Sequence, residues 1–225
     1  MAKGYSGKIL RVNLTTRQVS TEQPGDLFYR RYLGGWGIVG YYLLKEVKPG
    51  TDALGPDNKL IMAPGIFTGV RLSGNGRSAV GAKSPLTGGF GEADAGGFFG
   101  SELARCGWDA LIIEGKAAKP VYISIKDENV EIKDAASVWG KDTVETETAL
   151  KKELGDERTR FAAIGRAGEK LVLVSCVIND LLHAAGRTGM GAVMGSKNLK
   201  AVAARSSGNK EVQDAAKIGE IRQWL

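Results

Sequence analysis

Glycine is spread along the whole chain, where it separates apolar segments that are short. There are 32 glycines among 225 residues, roughly twice the average usage, and glycine permits the positive φ angles of tight turns. Alternating segments such as 8–14 and 19–23 predict strands, several of them joined as hairpins. Because hairpins produce antiparallel or mixed sheets, the sequence predicts a layered α+β domain with few helices.

The apolar periodicity places the expected elements along the chain. Helices are expected at 26–47, 97–106, 143–154 and, as a short helix, at 189–194. Besides the first hairpin, strands are expected at 59–63, 77–82, 109–114, 121–126, 130–134, 161–164, 171–178 and 199–204.

The composition changes after Arg205. The stretch Ser206–Lys210 has the small and polar residues of a linker, and 211–225 begins a helical pattern that stops with the sequence. We therefore expect one domain over 4–205, followed by a linker and the start of a truncated helical domain over 206–225. On this interpretation the chain is a fragment or one half of a split protein.

Charge and hydropathy exclude several classes of protein. The formal net charge is +6, from 31 Lys and Arg against 25 Asp and Glu, but no basic run is present, so nucleic-acid binding is not expected. A phosphate-rich small ligand or an acidic partner explains the excess equally well. No apolar run approaches the roughly 20 residues that span a membrane, and no signal peptide is evident, so we expect a cytoplasmic protein without membrane contact.

The cysteines and the single histidine argue against a metal cluster bound by this chain alone. Cys106 and Cys176 are far apart, neither is in a C-x-x-C pair, and His183 is the only histidine. A zinc site or an iron–sulfur cluster needs more ligands than these. Two free thiols in a reducing compartment are expected instead.

Two glycine-rich segments carry the functional signal. The first spans 73–78 and continues at 91–97, and the second spans 183–191 and continues to 200. Arg77 and Arg187 lie within them, and a guanidinium group matches the oxygens of a phosphate. The pair of segments predicts a large phosphorylated ligand that is held from two sides.

Two segments resemble nucleotide-binding motifs, but one lacks the structural context and the other lacks the spacing that the motif requires. Gly35–Gly40 matches G-x-G-x-x-G, but it follows a helical pattern, so a broken helix with close packing is favoured over a dinucleotide site. Gly191–Lys197 has one residue too few between its glycines, and its serine precedes the lysine, so it is not a Walker A loop. No G-x-S-x-G segment occurs, which argues against a hydrolase.

Taken in order, several segments closely resemble the N-terminal domain of the tungsten-dependent aldehyde ferredoxin oxidoreductase family. The resemblance covers about residues 4–205, and its most specific part is the run from Ala185 to Ala201. The segments that carry it are 4–14, 58–61, 83–88, 96–100, 107–116 and 185–201.

The resemblance implies a fold, a cofactor and a reaction. The domain would be a base of two mixed or antiparallel β-sheets on which two pyranopterins rest, with tungsten (or molybdenum) held by their dithiolenes. A magnesium ion would link the two pterin phosphates. Family members oxidise aldehydes to carboxylic acids and pass two electrons through a [4Fe–4S] cluster to ferredoxin.

The family's cofactor-binding residues carry over by position. Asp94 stands where family members usually have asparagine, and His183 stands where they usually have arginine. The backbone carbonyl groups of Asp94 and Ala184 are expected to be the magnesium ligands. The residues expected to contact tungstopterin are Arg77, Asp94, Gly96, His183, Ala184, Gly186 and Arg187.

No catalytic residue is expected within this chain. The family's cluster cysteines, acid–base residues and substrate channel belong to later helical domains, so the chain alone should be inactive. Its expected partners are the remaining domains, in the same or a separate chain, ferredoxin or another electron-transfer subunit, an aldehyde substrate and a second copy in a homo-oligomer. The alternative is a stand-alone pterin-binding or scaffold protein without redox activity, which would lack a downstream C-x-x-C-x-x-x-C segment.

Overall fold

The computed structural model describes residues 4–224, and its strands form two six-stranded sheets. The strands are Ile9–Asn13 (β1), Gln18–Glu22 (β2), Leu60–Pro64 (β3), Ser78–Lys83 (β4), Phe90–Ala95 (β5), Ala110–Glu114 (β6), Val121–Lys126 (β7), Asn129–Asp134 (β8), Arg160–Ala163 (β9), Val177–Asn179 (β10), His183–Ala185 (β11) and Leu199–Arg205 (β12). The helices are Asp26–Tyr32 (α1), Trp36–Glu46 (α2), Phe99–Arg105 (α3), Thr143–Leu154 (α4), Arg166–Glu169 (α5), Met190–Ser196 (α6) and Ala215–Trp224 (α7).

Both sheets are mixed. The first has the order β2-β1-β6-β3-β4-β5, and only the β1–β6 pair in it is parallel. The second has the order β11-β10-β9-β12-β7-β8, and only the β12–β7 pair in it is parallel. The predicted α+β class with two mixed or antiparallel sheets is confirmed.

The main core lies between the two sheets. Leu111 of the first sheet and Val202 of the second belong to one buried cluster, together with Phe99 of α3 and Val193 of α6. Helices α3 and α6 contact strands of both sheets. The inner faces of the sheets and these two helices therefore share one apolar core, which stabilises the domain through the area that it removes from water.

Each sheet is also covered on its outer face. Helices α1 and α2 place Tyr29 and Tyr42 against Ile61 of β3, and α4 places Leu150 against Phe161 of β9. Strand β3 is buried at all five positions, since its alternate side chains face the two different clusters. A strand that is buried on both faces reads as a continuous apolar run, as β3 does.

Local signals explain why the best predicted helix has the right bounds. Helix α4 begins after Asp142, whose carboxylate accepts the Glu145 N–H while the Glu145 side chain returns to the Asp142 N–H. It ends at Gly155, which has φ +67°. A capping box and a left-handed glycine are the common start and stop signals of a helix.

The long helix predicted over 26–47 is broken. Helix α1 ends at Tyr32 and α2 begins at Trp36, and a Cβ atom on Gly34 would lie 2.8 Å from the Pro64 carbonyl oxygen. A Cβ atom on Gly37 would overlap the Tyr32 carbonyl oxygen. Gly34, just before the G-x-G-x-x-G segment, and Gly37 within it thus permit close backbone packing, as the broken-helix interpretation expects.

The strand predicted over 171–178 was wrong for most of its length. Only Val177–Asn179 forms a strand, and the apolar side chains of 171–174 are exposed in turns. Strand β5 was not predicted, because charged residues alternate with small ones along it. Strand β11 and helix α5 are three and four residues long, too short for a periodic signal.

The segment after β12 stays close to the domain at its beginning. Ser206 is buried, and its N–H donates to the Glu102 carboxylate at 2.8 Å. Helix α7 has no buried residue. The boundary at 205 and 206 remains a prediction. None of the helices described between residues 4 and 224 has both the length and the apolar character to cross a membrane.

Candidate functional site

The two glycine-rich segments meet where the edge strands of the two sheets, β5 and β11, lie side by side. The Thr188 hydroxyl donates to the Glu92 carbonyl oxygen at 3.1 Å, and the Asn179 side-chain amide donates to the Gly96 carbonyl oxygen at 3.2 Å. We call this contact the edge junction. It brings together residues that are about 90 positions apart in the chain, as the two-sided ligand hypothesis requires.

The first segment reaches the edge junction through close backbone contacts. A Cβ atom on Gly76 would lie 3.1 Å from the Gly97 carbonyl oxygen, and Gly97 itself has φ +88°. Both features favour glycine, because a side chain would be strained or crowded at these positions. The Thr68 hydroxyl donates to the Arg77 carbonyl oxygen at 2.7 Å, which fixes the backbone of the arginine.

Asp180 links the turn before α3 to the β10–β11 hairpin. One carboxylate oxygen accepts the Phe98 and Phe99 N–H groups at 2.6 and 2.9 Å, and the other accepts the Phe161 N–H at 3.3 Å. The carboxylate thus satisfies free N–H groups at the start of α3. Asp180 is not among the residues predicted for the site, since its only local signal is an Asn-Asp pair between short apolar segments, which is typical of a turn.

Arg77 and Arg187 are both exposed. Between residues 4 and 224, the Arg77 guanidinium has no hydrogen bond or ion pair, and the Arg187 guanidinium donates only to the adjacent Gly186 carbonyl oxygen, at 3.2 Å. Neither arginine therefore forms a salt bridge with another residue between 4 and 224. A guanidinium group of this kind can form charge-assisted hydrogen bonds with an anionic ligand.

Gly96 and His183 are in direct contact across the edge junction. A Cβ atom on Gly96 would lie 3.2 Å from the His183 Nδ1, and one on Gly97 would lie 3.0 Å from the His183 Cδ2. The imidazole therefore fills the space beside both glycines. Ala184 follows on β11 and is exposed, whereas Gly186 lies next to the Cys176 thiol, its added Cβ atom 3.6 Å from the Sγ.

Two carboxyl groups lie on one face of β5, at Glu92 and Asp94. Burial and the neighbouring negative charge of Asp94 raise the pKa of Glu92 to about 7. Such a pair favours a proton or a cation nearby. Between residues 4 and 224 there is no group of three or more His, Cys, Asp or Glu side chains that could hold a metal ion.

The lysines at the end of the second segment face the core. The Lys197 ammonium group donates to the carbonyl oxygens of Gly115 at 3.1 Å and Asn58 at 2.5 Å, and burial lowers its pKa to about 8. Lys200 is fully buried and paired with Glu169. Neither can reach a phosphate at the surface, which agrees with the rejection of a Walker A loop.

Comparison with known proteins decides the family. Residues 9–206 match the family model described as the N-terminal domain of aldehyde ferredoxin oxidoreductase. The chain belongs to the aldehyde ferredoxin oxidoreductase family. It is 52% identical over 218 residues to a tungsten-containing aldehyde ferredoxin oxidoreductase of Pyrococcus abyssi, an alignment that covers 97% of this chain and 36% of that protein.

Two further proteins similar to this chain have names that refer to other substrates. The aliphatic sulfonate oxidoreductase, WOR-like subunit, of Pyrococcus furiosus is 37% identical over 230 residues, which cover 95% of this chain and 36% of that protein. The solved active site complex BamBC of benzoyl coenzyme A reductase, in complex with 1,5-dienoyl-CoA, superposes with a TM-score of 0.90. It shares 37% identity and covers 94% of this chain and 32% of its own. This chain thus spans about a third of the length of these relatives.

Proposed function

We propose that this chain is the cofactor-binding domain of a cytoplasmic tungsten (or molybdenum) bis-pyranopterin oxidoreductase. The reaction would oxidise aldehydes to carboxylic acids, with ferredoxin or another electron-transfer subunit as the acceptor. The remaining two thirds of a family enzyme, in the same or a separate chain, would contribute the [4Fe–4S] cluster and the substrate channel. The 225 residues alone would bind little cofactor and have no activity.

The edge junction carries this proposal. It joins the two glycine-rich segments, and these contain two exposed arginines, Arg77 and Arg187, that have no acidic partner between residues 4 and 224. Guanidinium groups and exposed backbone beside small residues are the donor set that a ligand with phosphates and broad rings requires. We further propose that Arg77, Asp94, Gly96, His183, Ala184, Gly186 and Arg187 contact the cofactor.

The backbone of β5 supports a magnesium site at the same place. Carbonyl groups two residues apart on a strand point to the same side, and the Glu92 carbonyl accepts from Thr188 in the second segment. The Asp94 carbonyl is then directed to that edge as well, toward β11 with Ala184. A magnesium ion held by the Asp94 and Ala184 carbonyl groups would offset the negative charges of the Glu92 and Asp94 side chains.

The work of this chain would be to bind and orient. When bound, the cofactor supplies the two-electron chemistry of aldehyde oxidation. Arg77 and Arg187 would fix its phosphates through charge-assisted hydrogen bonds, and the glycines would let the backbone approach its rings. Asp180 would hold the two segments at a constant separation, because it lies in the turn before β11 and its carboxylate accepts the N–H groups of Phe98 and Phe99, which follow the first segment.

The proposal is tested by replacing Arg77 or Arg187 with alanine in the full-length protein, purified anaerobically. Each change should remove roughly 1.5–3 kcal/mol of binding to a charged ligand, so tungsten and pterin content per chain should fall. Arg158→Ala is the matched control, since Arg158 is exposed and pairs only with Asp156 within the described range. Unchanged tungsten and pterin in both variants would reject the site.

The isolated 225-residue chain offers a second test. Without the covering domains it should contain little or no tungsten, no iron–sulfur cluster and no aldehyde-dependent dye reduction. A brown, tungsten-loaded and active chain would contradict the proposal that the cluster and the substrate channel lie outside these 225 residues. Pterin bound to the full-length protein without any redox activity would favour the scaffold alternative.

A further inference from the structure

The loop between β3 and β4, residues 65–77, has no regular secondary structure, yet its backbone is firmly held. Five consecutive carbonyl groups, from Ile66 to Val70, each accept a hydrogen bond from a side chain. Asn75 donates to Phe67 and Val70, both at 2.9 Å, and Arg105 donates to Gly69 at 3.2 Å. A loop that cannot pair its carbonyl groups within a helix or sheet needs such partners when it is buried.

The remaining two carbonyl groups are bound by Lys210. Its ammonium group donates to the Ile66 oxygen at 2.8 Å and the Thr68 oxygen at 3.1 Å. Its side chain also packs against Gly69, where an added Cβ atom would lie 3.5 Å from the lysine Cδ. The neighbouring Asn209 accepts a hydrogen bond from Arg71 at 3.0 Å, so the start of the tail grips the loop at two points.

Lys210 differs from the other two donors in its place along the chain. Asn75 belongs to the loop itself and Arg105 to α3, whereas Lys210 lies beyond the residues 9–206 that match the family model. It therefore joins the stretch that follows β12 to the loop that carries Arg77.

Thr68 connects Lys210 to Arg77 through hydrogen bonds. Lys210 binds the Thr68 carbonyl oxygen, and the Thr68 hydroxyl in turn accepts the Gly65 N–H at 3.0 Å and donates to the Arg77 carbonyl oxygen at 2.7 Å. Thr68 is almost completely buried, so its side chain has a fixed position. Two hydrogen bonds through Thr68 thus connect the Arg77 backbone to a residue that lies 133 positions further along the chain.

We propose that Lys210 is a positioning residue that orders the 65–77 loop and, through Thr68, sets the backbone of Arg77. The inference rests on the proposed function only in giving Arg77 a ligand. The stretch after β12 then has a structural role of its own, because it holds the 65–77 loop through Lys210.

Hydrogen exchange with peptide resolution tests the proposal on the 225-residue chain without any cofactor. In Lys210→Met, amides of 66–77 should exchange about tenfold faster, because the loop opens locally, while peptides covering 121–134 keep their rates. Lys217→Met is the matched control, since Lys217 lies in the same tail and its pair with Glu220 is exposed. A second variant, Thr68→Val, keeps Lys210 but removes the hydroxyl that binds Gly65 and Arg77, so the backbone around these two residues should exchange faster.

Two outcomes would overturn the proposal. One is an unchanged exchange rate over 66–77 in Lys210→Met. The other is an equal acceleration of 66–77 and 121–134, which would show that the lysine supports global stability only. Because no cofactor is present, failure here is distinct from failure of the proposed function, which the tungsten content of the Arg77 and Arg187 variants decides.

Discussion

The two halves of the second glycine-rich segment have similar residue types but opposite environments. In the first half, 183–188, only Ala185 is buried, and Arg187 has no acidic partner among the described residues. The second half, 190–200, is almost entirely buried, and its lysines are bound by carbonyl groups and by Glu169. The first half lies at the surface, where we propose that the cofactor binds, and the second half belongs to the core.

The difference shows that a basic residue beside glycines does not by itself indicate a ligand-binding site. In the first half, glycine and alanine leave the backbone open at the edge of a sheet. In the second half, glycine lets two helices touch, since a Cβ atom on Gly195 would overlap the Gly168 carbonyl oxygen. The number and kind of partners around each cation separate a binding residue from a structural one.

The largest effect is expected in the buried half. Lys200→Met should lower the free energy of unfolding by about 3–5 kcal/mol, because the buried Glu169 carboxylate loses its cation. The measurement is urea unfolding at about pH 7. Lys217→Met, which breaks an exposed pair, should change stability by less than about 0.5 kcal/mol. The double variant with Glu169→Gln should recover part of the loss, and a cost below about 1 kcal/mol for Lys200→Met would contradict the assignment.

Lys197 should give a pH-dependent effect of intermediate size. Its pKa is about 8 in the folded chain against an ordinary 10.5, so between these values the unfolded chain binds the extra proton. The free energy of unfolding therefore rises with pH across this window. Lys197→Met should lack this rise, and its deficit relative to the unchanged chain should widen from about pH 8 to pH 10.5.

The comparison of the two chains removes other contributions to the pH effect. Lys210 also has a pKa that burial lowers to about 8, but it is present in both chains and cancels in the difference. At about pH 7, Lys197→Met should already cost about 1–3 kcal/mol, since buried carbonyl groups lose their donor. A constant difference between the two chains at all pH values would show that the Lys197 pKa is ordinary.

Asp180 tests the edge junction, which borders the exposed half. Asp180→Ala should cost about 1.5–3 kcal/mol, because the Phe98 and Phe99 N–H groups lose a charged acceptor. Asp180→Asn keeps an acceptor and should cost less. Asp134→Ala, which removes an exposed carboxylate with one N–H partner among the described residues, is the control for chemical denaturation. Equal stability of Asp180→Ala and Asp134→Ala would show that the junction does not need this carboxylate.

The smallest effect is expected at the two exposed arginines. Arg77→Ala and Arg187→Ala should each change the free energy of unfolding by less than about 0.5 kcal/mol, because neither guanidinium has an acidic partner in residues 4–224. Thermal and urea unfolding of the cofactor-free chain measure this. A loss above about 1 kcal/mol would make the arginines structural and remove the contrast between the two halves.

Much of the fold could be predicted from the spacing of apolar residues and from the turn and cap residues between elements. Strands such as 109–114 and 199–204 alternate or run apolar between clear turn signals, and helix 143–154 has both of its caps. Strand β5 could not be found in this way. Its exposed positions include Phe90 and Asp94, and its buried positions are Gly91, Ala93 and Ala95, so hydrophobicity does not alternate as it does in an ordinary half-buried strand.

The sequence by itself determined the α+β class, the family and the two glycine-rich segments, since these follow from local spacing and residue type. Only the tertiary structure decided that the segments meet at the β5 and β11 edges, that His183 fills the space beside Gly96, and that Lys210 binds the Arg77 loop. Those facts depend on contacts between distant residues. A sequence pattern reports neighbours along the chain, whereas the partners of a carbonyl or a guanidinium group are set by how the sheets pack.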